Sequence, residues 1–201
     1  SLTLQQLMLE RGNFSNFTKH LQVPHFEVQG KTLGVIGSGA IGGQVIKIAL
    51  VFGMQVLVFS RTRKAWTDPR IQSVSLEELV KSSDFITIHC PLTPETKHLI
   101  NRDRLKMMKS TAFIINTARG QIIKEEDLIE ALQEGKIAGA ALDVQDPEPP
   151  EATNPLFQMD NVILTPHIGW KCMESRQRLI NMLADNIESF QQGKPINVVN
   201  S

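Results

Sequence analysis

Three ionisable residues in the second half of the chain are of types that could act together on a small carboxylic acid. They are Arg119, Glu148 and His167. An arginine can hold a carboxylate through two hydrogen bonds, and a histidine can pass a proton to or from a carbinol oxygen. A glutamate beside the histidine would raise its pKa and fix its tautomer. Taken singly, each residue has an ordinary structural explanation, so the interpretation depends on the elements that position them.

Those elements are short apolar runs that alternate with helical patterns. The apolar runs predict six strands, over 32–36, 55–59, 85–89, 111–115, 138–144 and 161–164. A helical pattern over 41–52 carries Ile41, Val45, Ile48 and Phe52 on one face, and a long helix is predicted over 173–191. Strands that are apolar along nearly their whole length and are separated by helices indicate an α/β fold with a parallel sheet covered on both faces.

A sheet of this kind binds ligands beyond the carboxyl ends of its strands. The residues that directly follow the predicted strands are polar or conformationally special, whereas the strands themselves are apolar. Arg119 and His167 stand in two of these positions, and Glu148 lies a few residues beyond a third. We therefore expect the three residues to belong to one site.

A glycine-rich turn, GSGAIG at 37–42, stands between the first strand and the first helix. Gly37 would permit the tight turn, Gly39 would let the backbone approach a pyrophosphate, and Gly42 would let helix and strand pack closely. The amino end of the helix would offer N–H donors to the phosphates. A plain strand-to-helix turn is the alternative, but the order of strand, turn and helix favours dinucleotide binding.

The second strand is followed by Ser60 and the cations of RTRK, where an NAD site usually offers a carboxylate to the adenosine ribose. Ser60 cannot accept hydrogen bonds from two ribose hydroxyls as a carboxylate does. Arg61, Arg63 and Lys64 could instead pair with the 2′-phosphate of NADP, because guanidinium groups bind phosphate well. The missing acid favours NADP(H) over NAD(H), and a solvated basic loop is the alternative.

The composition argues against several other classes of protein. The 201 residues have zero formal net charge, without the basic excess of a nucleic-acid binder, and they suffice for one compact domain. No apolar stretch approaches the ~20 residues of a membrane span, and no signal peptide is visible. Cys90 and Cys172 are too few for a disulfide framework and match no metal motif, so we expect a cytoplasmic protein without a metal site.

Several spaced motifs resemble the D-isomer-specific 2-hydroxyacid dehydrogenase family over about residues 30–200. They are GSGAIG, HCPLTPET at 89–96, NTARGQIIKEEDLIEAL at 116–132, GAALDVQDPEPP at 139–150 and TPHIGW at 165–170. Within the family, TPHIGW and the closing GKPINVVN are similar to glycerate dehydrogenases and to hydroxypyruvate or glyoxylate reductases. The loop SRTRK is similar to the members that use NADPH.

The resemblance implies a Rossmann-type, doubly wound cofactor domain and an oxidoreductase that interconverts a 2-keto acid and a D-2-hydroxy acid. It assigns the catalytic set to Arg119, Glu148 and His167, and it assigns Asp143 to the nicotinamide carboxamide. Further cofactor contacts are implied at Ala40, Ile41, Pro91, Thr96, Thr117, Ala118 and Gly169. The resemblance also implies a homodimer that forms through the cofactor domain.

The same resemblance implies a division of the chain into three segments. Residues 1–29 would be a connecting helix and loop from a substrate domain that is largely missing, 30–171 the NAD(P)-binding domain, and 172–201 a helix that returns to the substrate domain. Such a fragment is expected to bind cofactor with little or no catalysis. A nicotinamide-sensing, corepressor-like protein on the same fold is an alternative, against which the intact catalytic set argues. A Rossmann methyltransferase would have no use for TPHIGW.

Overall fold

The chain divides into two compact units, which span 1–164 and 165–201. The computed structural model describes residues 6, 8–12, 26–62 and 64–199. Arg63 and most of the predicted connecting segment therefore lie outside the described residues. No helix in the described part of the chain is long and apolar enough to cross a membrane.

The first unit is built on a parallel sheet of seven described strands. These are β1 (Thr32–Ile36), β2 (Gln55–Phe59), β3 (Ile71–Ser73), β4 (Phe85–Ile88), β5 (Phe113–Asn116), β6 (Gly139–Leu142) and β7 (Val162–Leu164). Its helices are α1 (Ala40–Val51), α2 (Leu76–Ser82), α3 (Arg102–Met107) and α4 (Glu125–Gln133), with 3-10 turns at Gly120–Ile122 and Pro155–Gln158. The strand order β3-β2-β1-β4-β5-β6-β7 reverses between β1 and β4, which confirms the predicted doubly wound topology.

β3 is the strand that the sequence pattern does not reveal. Only three residues long, it pairs with β2 at the edge of the sheet. Gln72 and Ser73 are exposed, so β3 presents neither an apolar run nor a clear alternation. The other six strands agree with prediction, with ends that differ by up to a few residues.

Apolar residues fill both faces of the sheet, as a parallel sheet requires. On one face, α1 covers a cluster that includes Val35, Ile46 and Val56. On the other face, α2, α3 and α4 cover a larger cluster that includes Leu79 and Ile86. The alternation of side chains along each strand therefore supplies both cores from the same short apolar runs.

α1 packs on the sheet through a face different from the one its largest apolar residues form. Its buried residues are Gly42, Ile46 and Ala49. Ile41, Ile48, Val51 and Phe52 are 57% to 87% exposed. Small residues let the helix lie close to the sheet. Of the stripe of large residues predicted over 41–52, Val45 packs against the core, whereas Ile41, Ile48 and Phe52 are exposed.

The pairing register places the carboxyl ends of five strands in one row. The row consists of Phe59, Ile36, Ile88, Asn116 and Leu142. The residues that follow must therefore lie side by side along one edge of the sheet, which we call the carboxyl edge. This edge brings together most of the positions that the sequence singled out.

Candidate functional site

The glycine-rich turn leaves β1 at the centre of the carboxyl edge, where the strand order reverses. Gly37 has a φ of +95°, and a Cβ there would lie 2.8 Å from the backbone of His89 and Cys90. A Cβ on Gly42 would overlap the Gly37 carbonyl oxygen, whereas a Cβ on Gly39 would meet nothing within 4 Å. The turn therefore has no room for a side chain at Gly37 and Gly42, where it packs on the protein. At Gly39 its backbone is accessible, as a pyrophosphate site requires.

The amino end of α1 is suited to an anion. Gly39 supplies no side-chain cap, and the first turn of the helix contains no acid. The hydroxyl of Ser38 is buried and, among the described residues, has no hydrogen-bond partner. A buried hydroxyl without a partner is costly, and a bound phosphate oxygen would satisfy it. The exposed Ala40 and Ile41 begin the helix at this point.

A polar cavity of about 130 Å³ lies between the glycine-rich turn, the loop after β2 and the connection from β3 to α2. The Lys64 ammonium donates a 2.5 Å hydrogen bond to the carbonyl of Ser38. Trp66 Nε1 donates to Ser73 Oγ at 3.0 Å, which ties the loop to β3. Among the described residues, hydroxyls and the Lys64 ammonium line much of the cavity; the lining includes Ser38, Ser60, Thr62, Lys64, Ser73 and Ser75.

Arg61, the first sequence candidate for a 2′-phosphate, is exposed and is not part of the cavity lining. A side-chain hydrogen bond from Thr93 lowers the pKa of Glu95, and the charge of Arg61 lowers it further. The loop after β2 therefore faces the loop after β4 across β1. Of Arg61 and Lys64, the described cations of this loop, Lys64 is the one that contacts the glycine-rich turn.

The loop after β4 carries two predicted cofactor contacts, Pro91 and Thr96. The Thr96 hydroxyl donates to the Pro91 carbonyl at 2.7 Å and accepts a bond of the same length from the Thr93 N–H. This hydroxyl is therefore used to close the loop on itself. Pro91 is exposed at its tip.

His89 and Cys90 lie between this loop and the glycine-rich turn, and both are half-buried. Burial lowers the pKa of His89, whose Nε2 lies 2.9 Å from Thr87 Oγ1. Burial also raises the pKa of the Cys90 thiol. In both residues, burial therefore favours the uncharged form of the side chain at the centre of the carboxyl edge.

The connection after β5 presents Thr117, Ala118 and Arg119 at the carboxyl edge. Arg119 is exposed, and its guanidinium donates a 2.6 Å hydrogen bond to the Ala118 carbonyl. The buried Asn116 shapes this connection: its amide nitrogen donates to the Arg119 carbonyl at 2.9 Å, and its oxygen accepts from the Ala118 N–H at 3.0 Å. Asn116 thus fixes the backbone from which the guanidinium extends.

The segment after β6 lies directly against the connection that carries Arg119. Asp143 is buried, and its N–H donates to the Asn116 carbonyl at 2.9 Å. Glu148 is exposed and accepts a 2.9 Å bond from the Gln145 N–H. A Cβ on Gly120 would overlap the Gln145 carbonyl. The fold therefore brings the backbone that carries Arg119 and the segment that carries Glu148 together.

His167 and Gly169 belong to the second unit. His167 is half-exposed and has a φ of +50°, which a non-glycine residue adopts only when its surroundings impose it. Its N–H donates to the Thr165 carbonyl at 3.0 Å, so the turn is tight. In the described part of the chain, no group of three or more acidic, histidine or cysteine side chains could hold a metal ion.

Comparison with known proteins agrees with this geometry. Residues 3–169 match the D-isomer specific 2-hydroxyacid dehydrogenase, NAD binding domain. The chain belongs to this family. The dehydrogenase family therefore accounts for the Rossmann topology, the glycine-rich turn and the polar carboxyl edge together.

Two curated dehydrogenases of known name are similar over most of this chain. Hydroxypyruvate reductase from Blautia hydrogenotrophica is 43% identical over 182 residues, which cover 88% of this chain and 55% of that protein. Glycerate dehydrogenase from Methylorubrum extorquens is 44% identical over 182 residues, covering 90% of this chain and 56% of that protein. The chain spans about half the length of the curated relatives it matches.

A solved dehydrogenase structure has the same fold. D-lactate dehydrogenase from Aquifex aeolicus, complexed with NAD and lactic acid, superimposes with a TM-score of 0.86 at 33% sequence identity. The match covers 96% of this chain and 62% of that chain. The chain is thus an NAD(P)-binding domain of the family.

Within this family member, sequence reasoning overlooked two polar residues that organise the carboxyl edge. Asn116 was quoted only as part of a motif, although its amide holds the Arg119 backbone in place. Ser38 stood between two glycines and received no role, although its hydroxyl is buried at the turn. For Asn116, the signal that could have identified it is its position directly after a predicted apolar strand. Ser38 follows Gly37 and carries no such signal.

Proposed function

We propose that this chain is the cofactor-binding half of an oxidoreductase that interconverts a 2-keto acid and a D-2-hydroxy acid, with hydroxypyruvate or glyoxylate as the keto acid. A substrate-binding domain would complete the cleft over the carboxyl edge. The observation that carries the proposal is the close packing of the segments bearing Arg119 and Glu148 in a member of this family. By itself, the chain would bind cofactor and turn over little substrate.

The three sequence-predicted residues have distinct roles in this proposal. The Arg119 guanidinium, exposed at the carboxyl edge, binds the carboxylate of the keto acid through two hydrogen bonds. His167 donates a proton to the keto oxygen, and Glu148 stabilises the protonated imidazole. The bound nicotinamide cofactor supplies the hydride.

The cofactor contacts in this proposal are the remaining predicted residues of the carboxyl edge. Gly37, Gly39 and Gly42 shape the pyrophosphate site, and Asp143 holds the carboxamide. Ala40, Ile41, Pro91, Thr96, Thr117, Ala118 and Gly169 line the rest of the path. The open backbone at Gly39 and the buried Ser38 hydroxyl support this fit.

Turnover by the full-length protein tests the reaction. We expect reduction of hydroxypyruvate or glyoxylate, and we expect His167→Ala to abolish turnover while cofactor still binds. Near-normal kcat in His167→Ala would overturn the assigned role. A full-length protein that binds nicotinamide cofactor but reduces no member of a 2-keto acid panel would instead be a sensor of the corepressor-like kind.

NADP(H) is the preferred cofactor in this proposal. The cavity beside the glycine-rich turn contains hydroxyls and the Lys64 ammonium but no carboxylate to bind the ribose diol. Ser60 lines this cavity, Arg61 is the exposed residue that follows it, and Arg63 follows in the sequence. Titrating the chain with NADH and NADPH, followed by nicotinamide fluorescence, tests the preference. Tighter binding of NADH would refute it.

A homodimer in the cytoplasm completes the proposal. Ile41, Ile48, Val51 and Phe52 of α1 form an exposed apolar surface, and a second copy of the chain is its proposed occupant. Two free cysteines are compatible with a reducing compartment. Light scattering on the wild type and on Ile48→Arg tests the dimer, because a monomeric wild type or a dimeric variant would contradict it.

A further inference from the structure

Glu125, the first residue of α4, has a role that helix formation does not explain. Three consecutive acids, Glu125, Glu126 and Asp127, occupy the first turn of this helix. Any of them could complement the positive end of the helix dipole. Glu126 is exposed, however, whereas Glu125 is half-buried. Burying a carboxylate is unfavourable unless hydrogen bonds replace its lost hydration, so the hydrogen-bond partners of Glu125 explain its burial.

Those partners lie at the two ends of the segment that carries Glu148. One carboxylate oxygen of Glu125 accepts a 2.6 Å bond from the Asn154 amide, and the other accepts a 3.3 Å bond from the Asp146 N–H. Asn154 also caps the 3-10 turn that follows, because its oxygen accepts from the Leu156 N–H at 2.9 Å. A single carboxylate therefore spans the segment 146–154 from its start to its end.

Two neighbouring contacts fasten the same segment to the connection that carries Arg119. Gln121 Nε2 donates to the Asp146 carboxylate at 3.2 Å. The backbone of Gly120 lies so close to Gln145 that no side chain fits between them. Burial raises the pKa of Glu125, and the nearby charges of Asp146 and Glu126 raise it further. This cost is tolerated where the carboxylate accepts two N–H bonds.

We propose that Glu125 is a positioning residue, which anchors both ends of segment 146–154 and so holds Glu148 beside the Arg119 connection. The inference rests on the proposed function, in which Glu148 supports the proton donor. Glu125 touches neither substrate nor cofactor in this scheme. It acts on the reaction only through the placement of Glu148.

The test compares Glu125→Ala and Glu125→Gln with Glu126→Gln in the full-length protein. We expect Glu125→Ala to lower kcat about tenfold or more, because small displacements of a catalytic group are costly. The Kd for the cofactor should stay within about twofold, because the pyrophosphate turn follows β1, and β4 and β5 separate β1 from β6, which precedes the segment. Glu125→Gln keeps one acceptor oxygen and should be intermediate, and Glu126→Gln should match the wild type.

Hydrogen exchange provides the readout that does not depend on activity. Amides of a peptide over 143–158 should exchange faster in Glu125→Ala, while β1 and β4 keep their protection. Unchanged exchange over 143–158, or equal acceleration throughout the sheet, would overturn the inference. A wild-type protein that reduces no keto acid would remove the proposed function, and the exchange comparison would then decide by itself whether Glu125 anchors the segment.

Discussion

The two edges of this sheet use their polar groups differently. The edge opposite the carboxyl edge, where the strands begin, we call the amino edge. There, the carboxylate of Asp84 accepts hydrogen bonds from the Thr32 N–H at 2.9 Å and from the Lys109 ammonium at 2.8 Å. The backbone of Asp84 also pairs with Thr32 and Phe113, so this one residue joins β1, β4 and β5. Every polar group of Asp84 is thus used within the fold.

At the carboxyl edge, some polar groups keep hydrogen-bonding capacity that contacts within the fold do not use. The Ser38 hydroxyl is buried and has no partner among the described residues, and Arg61 and Arg119 are exposed. Hydrogen bonds there, such as those of Asn116, shape the backbone from which such side chains extend. The difference teaches that the amino edge contributes stability and the carboxyl edge contributes binding, so substitutions at the two edges should affect different measurements.

The largest expected effect is that of Gly42→Ala on cofactor binding. The new methyl group would overlap the Gly37 carbonyl and push α1 away from the turn. We expect the Kd for NADPH to rise about 100-fold, equivalent to about 2.7 kcal/mol. Fluorescence titration measures it.

Gly43→Ala is the matched control for this prediction. Gly43 lies in the same helix turn, and a Cβ there would meet nothing within 4 Å. It should leave the Kd within about twofold and should stabilise the helix by about 0.5–1 kcal/mol. Equal losses of affinity in the two variants would mean that helix–turn packing does not shape the pyrophosphate site.

Gly120→Ala should show that parts of the carboxyl edge also bear on stability. The added methyl would overlap the Gln145 carbonyl and lie 2.8 Å from the Asp146 nitrogen. Overpacking of this kind lowers the free energy of unfolding by about 1–3 kcal/mol, and we expect about 2 kcal/mol here. Urea denaturation measures the change. A stability equal to that of the wild type would mean that segment 146–154 moves aside freely.

The apolar runs were sufficient to predict a parallel sheet covered on both faces, and the resemblance of the spaced motifs to the family predicted its doubly wound order. The sequence did not predict β3, whose residues Gln72 and Ser73 are exposed and which pairs with β2 at the edge of the sheet. Its periodicity over 41–52 also did not identify the buried residues of α1, because close packing selects the small Gly42 and Ala49 over larger neighbours. Residue size at a contact is information that hydrophobic periodicity does not contain.

Candidate residues of the site could be proposed from the sequence where the expected chemistry depends on residue type. Residues that act through contacts with the backbone could not be proposed in this way. Arg119 and Glu148 could be chosen from their positions after strands. The anchoring carboxylate of Glu125 could not, because its partners are one side-chain amide and one main-chain N–H, in Asn154 and Asp146, more than twenty residues away. Among the described cations of the loop, Lys64 contacts the turn, although Arg61 was the first candidate from the sequence.

A smaller change in binding should follow from converting the cation loop. Ser60→Asp combined with Arg61→Ala introduces a carboxylate for the ribose hydroxyls and removes a cation from the loop after β2. We expect the ratio of the Kd values for NADPH and NADH to shift about tenfold toward NADH, or about 1.4 kcal/mol. The free energy of unfolding should stay within about 0.5 kcal/mol of the wild type, because Arg61 is exposed and Ser60 is only half-buried.

The outcome that would contradict this prediction is a ratio that does not change. Lys64→Ala separates the alternatives, because it removes the cation that lies against Ser38 and adds no carboxylate. A weaker affinity for NADPH alone in Lys64→Ala would assign the phosphate to Lys64. Equal affinities in all three proteins would mean that the loop is only a solvated basic surface.

The smallest effect is expected at the amino edge, where Asp84→Asn should change stability without changing cofactor affinity. Burial by itself would raise the pKa of Asp84, but hydrogen bonds from Lys109 and Thr32, with the charges of Lys109 and Lys31, lower it overall. A carboxylate whose pKa is lowered by folding stabilises the protein above its unfolded pKa of about 3.9. That stability is lost as the pH falls through the folded pKa.

We therefore expect Asp84→Asn to reduce the free energy of unfolding by about 1 kcal/mol at pH 7. The difference from the wild type should shrink below about pH 4, because the wild-type carboxyl is then protonated as well. Asp160→Asn, at an exposed acid of the same unit, should differ by no more than about 0.5 kcal/mol at either pH. A deficit of the same size at pH 7 and pH 3 would mean that Asp84 acts through its shape and not through its charge, and a raised Kd for NADPH would mean that the two edges are not independent.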